Sequence, residues 1–371
     1  MSLQSSIPTK LLSLALCAAL LAGCTLHAEP PANPQEEPLQ LIEPETQEPE
    51  ERIPFLRTPE LASFTLPKEE FPDDLERRAS EAIDSAIEKA VSCVLTMKDS
   101  RHSAKSYPWE RDPNGYLAKL TDKGQSALER IARAGREFKE VKITSQEYGG
   151  SVKDLYFDIY LPLTYCEPAL SSYLYVDADS RYTALTAYYF DPAKDANFKV
   201  SDGKTDMDTV KEGAELLDRI IKRVVRFMPE GLCTYDKYYY LAAVISEKVT
   251  YDKAPRNRFT PYGALVDGRA VCEGYSQAFF LLCQEAGLWC AFRHGLPKGE
   301  GHVWNMVRLE SGIYNVDITW SDGHGEPYTV DWYDCFVKPD DDFDFDGHAI
   351  TSGPKSTGTF EPCPYEGEKN T

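Results

Sequence analysis

The chain has 371 residues and a mass of 41.8 kDa, enough for one large domain or two ordinary domains with buried cores. Its hydrophobic fraction of 42% and aromatic fraction of 12% exclude a globally disordered protein. The 40 Lys and Arg residues are outnumbered by 60 Asp and Glu residues, and the net charge of -20 repels phosphate backbones and anionic lipid surfaces. Nucleic acid is therefore not an expected partner.

The N-terminal residues have the pattern of a targeting segment. Lys10 precedes an apolar run, Leu11–Ala22, which suits a signal peptide and is too short to span a bilayer. The run ends in Leu21-Ala22-Gly23-Cys24, which resembles the lipobox of bacterial lipoproteins, where the chain is cut before the cysteine and lipid is added to its sulfur. We expect residues 1–23 to be a lipoprotein signal peptide and Cys24 to anchor an extracytoplasmic protein to the membrane. The alternatives, an ordinary cleaved signal or a short N-terminal anchor, also predict an extracytoplasmic protein.

Residues 24–60 form a segment that is rich in Pro and Glu and poor in large apolar side chains. This composition cannot form a packed core, and proline-rich, like-charged segments stay extended. We expect a linker, either a simple disordered tail or a tether between the lipid and the folded region, which begins near Leu61.

The sequence from 61 to 205 has the pattern of an α+β region without a chemical motif. Apolar residues recur at helical spacing over 73–97, and a second helix is predicted over 117–137. The pattern then changes to short segments rich in aromatic and β-branched residues, separated by turn formers. The role of this N-terminal region stays open, as structural support or partner binding. The predicted strands are Val141–Gln146, Leu155–Leu161, Ser172–Val176 and Tyr182–Phe190.

Two helices lead into the most informative part of the chain, within a predicted second domain of residues 206–371. An apolar face marks a helix over 208–227, which Pro229-Glu230-Gly231 ends. Thr234 is the predicted N-cap of the next helix, which leads to Val249–Asp252.

Cys272 is predicted to lie at the N-terminus of a helix. Asp267-Gly268 is a turn, and the apolar residues that follow Cys272 keep helical spacing up to Gly287. The unpaired N–H groups at a helix N-terminus favour an anion, and the thiolate is the nucleophilic form of cysteine. Backbone donors at the same place can hold the oxyanion of an acyl intermediate.

A histidine and an aspartate follow on two predicted strands of a hairpin. His302 begins the first strand, residues 313–319 form the second, and Glu310-Ser311-Gly312 supplies the turn. Because strand side chains alternate between faces, any even-numbered loop places His302 and Asp317 on the same face.

The distance between the two side chains depends on the register, which the residues leave open. A four-residue loop at 308–311 places His302 directly opposite Asp317. A two-residue turn at Ser311-Gly312 instead places Asp317 opposite Met306.

If the three side chains meet, their roles follow from their chemistry. Cys272 attacks a carbonyl, His302 moves the proton, and Asp317 orients and charges the imidazole. Each residue also has an ordinary structural interpretation: a small buried side chain for Cys272, a hydrogen-bonded structural histidine for His302, and a strand-end cap for Asp317. Cys283, within the same helix, is expected to be part of the core.

At these positions the chain resembles the transglutaminase-like superfamily. The resemblance covers about 207–347 and implies a papain-like α+β core, in which a helix bearing Cys packs on an antiparallel sheet. It also implies a Cys272, His302 and Asp317 triad with acyl transfer or hydrolysis at amide bonds. Ser276 and Ile318 depart from the alanine and proline common in the family. The matching runs are Gly-x-x-x-Cys-x-Gly-Tyr at 268–275, His-x-Trp-Asn at 302–305 and Val-Asp-x-Thr-Trp at 316–320.

Several aromatic residues are candidates for the surroundings of the site. Tyr275, Trp304 and Trp320 are expected either to line a pocket or to belong to the core. Tyr251 is a candidate for a second oxyanion donor, because such enzymes often take one from an upstream side chain, and core packing is its alternative.

No metal or cofactor is expected. No pair of cysteines has CxxC spacing, which argues against structural zinc. Asp342–Gly347 imitates the opening of a calcium loop, but Gly353 stands where the bidentate Glu is needed, so an acidic loop near the site is the better interpretation. A disulfide between Cys335 and Cys363 is possible outside the cell. His294, His324 and His348 are expected in loops, and His348 could approach the edge of the site.

These observations favour a surface-tethered cysteine peptidase or amidase that hydrolyses an acyl-enzyme formed on Cys272. Its expected substrate is an extracellular peptide, a protein or a cell-wall peptide. One alternative is a protein-glutamine transglutaminase, in which a lysine amine replaces water. Another is a noncatalytic adhesion or binding module that reuses the fold.

Overall fold

The structure is a computed structural model that describes residues 64–67, 69, 71, 73–96, 105–193, 205–321, 335–345 and 347–358. The predicted signal peptide, the linker and Cys24 lie outside the described residues, as do His324, Asp346 and Cys363. Within the described ranges, no helix combines the length and the apolar character that a membrane span needs.

The first half of the described chain contains four helices and a three-stranded sheet. Strand β3 is central and pairs antiparallel with β1 and with β2. The expected α+β character is therefore present. The elements are α1 (Asp74–Thr96), α2 (Asp122–Arg136), β1 (Lys142–Thr144), α3 (Ser145–Tyr148), α4 (Val152–Cys166), β2 (Leu174–Ala178) and β3 (Ala184–Tyr189), with 3₁₀ turns at Leu117–Lys119 and Pro168–Ser172.

The strand predicted over Leu155–Leu161 is wrong, because these residues lie inside α4. The helix begins after Ser151, whose side chain accepts a hydrogen bond from the Asp154 N–H. Val152, Leu155 and Ile159 are buried at a helical spacing of three and four residues. High β-propensity of the residues misled the prediction, whereas the cap and the spacing decide the structure.

The second half of the described chain places two long helices and a cysteine-bearing helix around a five-stranded sheet. The sheet is antiparallel, with strand order β10-β6-β7-β8-β9. The elements are α5 (Met207–Arg226), α6 (Thr234–Lys248), β4 (Thr250–Tyr251), β5 (Arg269–Ala270), α7 (Cys272–Glu285), β6 (Cys290–Gly295), β7 (His302–Leu309), β8 (Gly312–Val316), α8 (Ile318–Ser321), β9 (Phe336–Lys338), α9 (Asp340–Phe345) and β10 (Ile350–Ser352).

Two local predictions in this half need correction. Thr234 is the first residue of α6, and its N-cap is Cys233, whose sulfur accepts the Asp236 N–H at 3.4 Å. The strand expected over 313–319 ends at Val316, because the Asp317 side chain accepts the Trp320 N–H and starts the short helix α8.

The larger hydrophobic core joins both halves. It contains Ile83, Ile87 and Val94 of α1 together with the buried faces of α5, α6 and α7. Arg223 of α5, only 7% exposed, adds a polar connection by donating to both carboxylate oxygens of Asp84 at 2.5 and 2.9 Å. The predicted domain boundary near 205 stays a prediction, and this core includes residues from both sides of it.

Candidate active site

Cys272 is the first residue of α7, as the sequence predicts. The preceding Val271 is extended and donates its N–H to the Arg258 carbonyl at 3.0 Å, which fixes the entry of the chain into the helix. Cys272 keeps part of its surface exposed. Its position leaves the N–H groups of the first helical turn without partners inside the helix, so an anion on the sulfur or on a bound substrate is favoured there.

Gly274 of the motif is required by close packing. A Cβ at this position would lie 2.7 Å from the Arg258 carbonyl oxygen and 2.8 Å from the Ala270 Cβ. Only glycine therefore lets the loop from 258 to 270 approach the first turn of the helix that carries Cys272.

Ser276 connects the cysteine helix to the histidine strand. Its hydroxyl donates to the Val303 carbonyl at 3.0 Å, and its own carbonyl accepts from the Asn305 side-chain amide at 3.2 Å. The departure from alanine at this position thus adds a hydrogen bond between α7 and β7 next to His302.

His302 and Asp317 meet in the buried interior. His302 begins β7, Asp317 follows β8, and the distance from His302 Nε2 to Asp317 Oδ2 is 2.5 Å. Both side chains are buried. The His302 nitrogen and the Asp317 oxygen are close enough for a charge-assisted hydrogen bond.

The hairpin reaches this geometry through a register that neither alternative predicted. Leu309 pairs with Gly312, so the turn consists of Glu310 and Ser311, and Asn305 pairs with Val316. Continued by one residue, this register brings Asp317 level with Trp304, diagonally beside His302. The loop is even-numbered, as expected, which keeps His302 and Asp317 on one face.

Cys272 lies close enough to His302 for its sulfur to favour the charged imidazole. Burial opposes a charge on the ring, but Asp317 and the Cys272 sulfur outweigh it and raise the pKa of His302 from 6.5 to about 10. Burial likewise opposes the charge on Asp317, yet His302 and His348 hold the pKa of Asp317 below its ordinary value of 3.8. The arrangement favours an imidazolium beside an ionised carboxylate, which is what an ion pair with a thiolate needs.

His348 is a site residue that the motifs did not identify. Its Nε2 lies 3.0 Å from Asp317 Oδ2, the same oxygen that His302 contacts, and the side chain has no exposed surface. The sequence suggested only that it could approach the edge of the site. Its separation from Asp317 along the chain gives no period or motif that could have revealed the contact.

The predicted surroundings of the triad divide into two groups. Trp304 and Trp320 lie beside the His302 ring, with centroids at 5.7 and 5.6 Å, and Trp304 donates its Nε1–H to Asn315 at 2.9 Å. Tyr275 is 1% exposed and donates its hydroxyl to the Val249 carbonyl at 3.1 Å, which makes it part of the core.

Tyr251 lies close to the cysteine along a short parallel ladder. It pairs with Ala270, two residues before Cys272, and packs partly buried against the larger core. Its predicted role as an oxyanion donor stays a prediction.

The N-terminal region reaches the helix that carries Cys272. Glu273 accepts a hydrogen bond from the Gln277 side chain at 3.1 Å, and Ser171 donates to Gln277 at 2.6 Å. The nearby Tyr165 favours the ionised form of Glu273. Part of the Glu273 side chain is exposed, but its carboxyl group is buried. Burial raises the pKa of Glu273 to about 7, although Gln277 and Tyr165 act to lower it. The side chain next to Cys272 thus interacts with residues of α4 and the following turn.

His294 belongs to a strand and not to the expected loop. It lies in β6 opposite Val303, and its neighbour Gly295 pairs with His302. Burial and the nearby His302 lower the pKa of His294 to about 4, so the ring is neutral. Its Nε2 lies 3.2 Å from the Tyr116 hydroxyl, and its Nδ1 has no hydrogen-bond partner.

Three side chains of the site could in principle offer ligands to a metal. Each of His302, Asp317 and His348 offers one ligand atom, and these three atoms lie within 4.8 Å of one another. Both histidine nitrogens, however, lie within hydrogen-bond distance of one oxygen, at 2.5 and 3.0 Å. A metal about 2 Å from each ligand needs wider separations than 2.5 Å, so the residues fit hydrogen bonding better than coordination.

The predicted acidic loop is the short helix α9, which Pro339 precedes. The Asp340 carboxylate accepts from Arg293 and from Asn315, both at 2.9 Å, and Phe343 is fully buried. The helix is attached to the sheet through Asp340 and through the buried Phe343, whose ring packs against Trp304. Asp346 lies outside the described residues, so the absence of calcium at this segment stays a prediction.

The structure tests one of the two predictions about structural cysteines. Cys283 is fully buried as expected, and burial, together with the neighbouring Cys290, raises the pKa of its thiol well above the ordinary value. The pairing of Cys335 with Cys363 stays a prediction because Cys363 lies outside the described residues.

Comparison with known proteins agrees with this geometry. Residues 224–320 match the model of the transglutaminase-like superfamily. The chain is 28% identical to the Kyphoscoliosis peptidase of Mus musculus over 145 residues, which covers 34% of this chain and 21% of that protein. It is 32% identical to the Kyphoscoliosis peptidase of Homo sapiens over 96 residues, covering 21% of this chain and 14% of the relative. The chain thus spans only 14 to 21% of the length of these relatives.

A crystal structure of a candidate cysteine protease from Cytophaga hutchinsonii is also similar. The likeness has a TM-score of 0.27 and 11% sequence identity, and it covers 49% of this chain and 66% of the other. The family match, together with the cysteine-bearing helix on an antiparallel sheet, identifies residues 224–320 as a transglutaminase-like core of papain-like type.

Proposed function

We propose that the protein is an extracytoplasmic thiol hydrolase that cleaves peptide or amide bonds through an acyl-enzyme on Cys272. The observation that carries this proposal is the placement of His302, whose Nε2 lies 2.5 Å from Asp317 Oδ2 and whose charged form the Cys272 sulfur also favours. A thiol beside a histidine that a carboxylate orients is the arrangement required for nucleophilic acyl transfer. Peptides and proteins outside the cell, including cell-wall peptides, are the proposed substrates.

The first half of the reaction forms a thioester. The Cys272 thiolate attacks the carbonyl carbon, and N–H groups at the start of α7 stabilise the oxyanion. His302 gives its proton to the leaving nitrogen, the C–N bond breaks, and an amine or ammonia is released. Asp317 stays ionised and stabilises the positive charge on the ring until the proton leaves.

The second half returns the enzyme to its starting state. Neutral His302 takes a proton from water, and the hydroxyl attacks the thioester carbon. The C–S bond then breaks, the carboxylic acid leaves, and the thiolate again faces a protonated His302. Atoms and charge balance, since one water molecule is consumed for each bond hydrolysed.

Alkylation of Cys272 tests the proposed ion pair directly. Iodoacetamide at pH 6, with the labelled site identified by peptide mapping, is expected to modify wild-type Cys272 at least tenfold faster than Cys272 of a His302→Ala variant. Near-ultraviolet circular dichroism verifies that the variant is folded. Equal and slow labelling of both proteins would favour the noncatalytic binding module.

The acyl acceptor is tested with a glutamine-containing peptide. Release of ammonia that does not depend on an added primary amine supports hydrolysis. Incorporation of the amine into the peptide, with ammonia release that requires it, would instead identify a transglutaminase. A Cys272→Ala variant is the control and is expected to do neither.

We also propose that Cys24 carries the lipid that holds the protein at the membrane, on the basis of the Leu21-Ala22-Gly23-Cys24 tetrad. Wild-type protein expressed in a bacterial host is expected to enter the detergent phase of a Triton X-114 partition. A Cys24→Ala variant is expected in the aqueous phase, and equal partitioning of both would contradict lipidation.

A further inference from the structure

We propose that His348 is a positioning residue, which donates a hydrogen bond from Nε2 to Asp317 Oδ2 and so holds the carboxylate in place for His302. The inference rests on the proposed function, because it assigns a residue to the same proton-transfer line. His348 lies outside residues 224–320, the part that matches the family model.

The hydrogen bonds around Asp317 show how His348 can affect the orientation of the carboxylate. Oδ2 is shared by His302 at 2.5 Å and His348 at 3.0 Å, and Oδ1 accepts the Trp320 N–H at 3.2 Å. Asp317 is fully buried, so bulk water does not reach these oxygens. Donors on both oxygens restrict the position and the rotation of the carboxylate group.

His348 has little freedom to turn away. Its ring packs between Trp320 and Phe343, with centroids at 4.2 and 4.1 Å. Its backbone N–H donates to the Phe343 carbonyl at 3.0 Å. A Cβ on Gly295 would lie 2.3 Å from the His348 carbonyl oxygen, so only glycine in β6 allows the segment to lie there.

The electrostatic effect follows from the same contact. An N–H donated to Oδ2 stabilises the ionised form of Asp317 and, with His302, keeps its pKa below the ordinary value despite burial. The titratable groups that face the ring within the described residues include Asp317 and His302, and its other ring neighbours are Trp304, Trp320 and Phe343. If His348 is lost, the Asp317 carboxylate is less well oriented and stabilises the His302 imidazolium less, so the Cys272 thiolate is expected to form at a higher pH.

The test measures the alkylation rate of Cys272 from pH 4 to pH 9 in purified full-length protein with EDTA present. His348→Leu removes the donor, whereas His348→Gln retains an N–H at a similar distance from the backbone. We expect His348→Leu to label Cys272 about tenfold more slowly at pH 6 and to move the acid limb of the profile upward by about one pH unit. His348→Gln is expected to remain within about threefold of wild type.

Two further variants separate hydrogen bonding from packing. Phe343→Leu loosens the contact with the His348 ring but keeps both nitrogens, so its acid limb is expected at the wild-type pH. If His348→Leu does not fold, His348→Asn replaces it, since its shorter amide cannot reach Oδ2. A Phe343→Leu profile that shifts as far as that of His348→Leu would overturn the inference.

The outcomes also distinguish this inference from the proposed function. If wild type and His302→Ala label equally slowly, the proposed function fails whatever His348 does. If wild type labels fast, His302→Ala labels slowly and His348→Leu keeps the wild-type profile, only the role of His348 is wrong. A rate that falls when zinc is added and EDTA is left out, and that needs His348, would show a metal site in place of a positioning residue.

Discussion

The Tyr116 hydroxyl lies 3.2 Å from Nε2 of His294, so a side chain of the N-terminal region contacts the strand next to the one that carries His302. The Tyr165 ring packs edge-on against the same imidazole, with centroids 5.0 Å apart. Because neither tyrosine belongs to the part that matches the family model, the region without a motif supplies part of the support behind the site.

Removal of the Tyr116 hydroxyl is expected to lower the stability of the protein without changing the reactivity of Cys272. Tyr116→Phe leaves His294 Nε2 buried with one hydrogen bond fewer, and the free energy of unfolding should fall by about 1 kcal/mol. Urea denaturation at pH 7 measures the change. The matched control is Tyr188→Phe, which alters a tyrosine that is 37% exposed and is expected to change stability by less than about 0.5 kcal/mol. Equal stabilities of Tyr116→Phe and wild type would contradict this prediction.

His294 is expected to make the protein less stable in acid. Burial and the nearby His302 lower its folded pKa to about 4 from 6.5, so between these values the unfolded chain binds a proton that the folded protein does not. Stability should therefore fall as the pH decreases from 6.5 to 4, and this residue should contribute on the order of 3 kcal/mol.

The measurement is urea denaturation of wild type and His294→Gln at several pH values in this window. The glutamine does not titrate and keeps a polar atom towards Tyr116. The variant should lose less stability than wild type between pH 6.5 and 4, and parallel curves would show that His294 does not titrate as described.

Asp317→Asn is expected to remove most of the activity while the fold remains. The amide presents an N–H group or a weaker acceptor to two histidine donors, so the His302 imidazolium loses its charge partner. We expect kcat/KM for hydrolysis to fall about 10²- to 10⁴-fold.

The control for this prediction is Asp340→Asn, which removes a carboxylate bound to Arg293 and Asn315. That variant should be less stable, because Arg293 is 4% exposed and loses its partner, but it should retain activity in the folded fraction. Similar loss of kcat/KM in both variants would indicate that stability, and not the orientation of His302, explains the effect of Asp317→Asn.

Gly274→Ala is expected to displace the cysteine helix. The added Cβ would meet the Arg258 carbonyl oxygen at 2.7 Å, so the free energy of unfolding should fall by about 1 to 3 kcal/mol and alkylation of Cys272 should slow. Gly124→Ala is a matched control, because Gly124 is also the third residue of a helix and its Cβ would meet nothing closer than 3.4 Å. That substitution should be neutral or stabilising by up to about 1 kcal/mol. Equal effects of the two would contradict the steric argument.

Structural features that depend on residues close together along the chain could be predicted from the sequence. The helix that starts at Cys272 follows from a turn and an apolar repeat, and the shared face of His302 and Asp317 follows from strand alternation. The papain-like core was implied by three short runs in a fixed order, and it is confirmed. The catalytic roles of the three residues stay predictions until their chemistry is measured.

Features that depend on packing between distant segments could not be predicted. The hairpin register depends on which of several similar turns the sheet favours, and neither proposed register was right. His348 reaches Asp317 because the chain passes β6 at Gly295, a contact that leaves no periodic signal. The strand expected at Leu155–Leu161 was wrong because aromatic and β-branched residues also form the buried side of a helix when a cap starts it.

The packing of α1 has a practical consequence for work on this protein. Ile83 and Ile87 are completely buried within the larger core that also contains α6 and α7. A shortened protein that begins at residue 206 would retain every residue of the triad, yet it would expose the apolar surface that α1 covers. Such a fragment should aggregate or require a detergent, so crystallisation and assays should start from a boundary before residue 64.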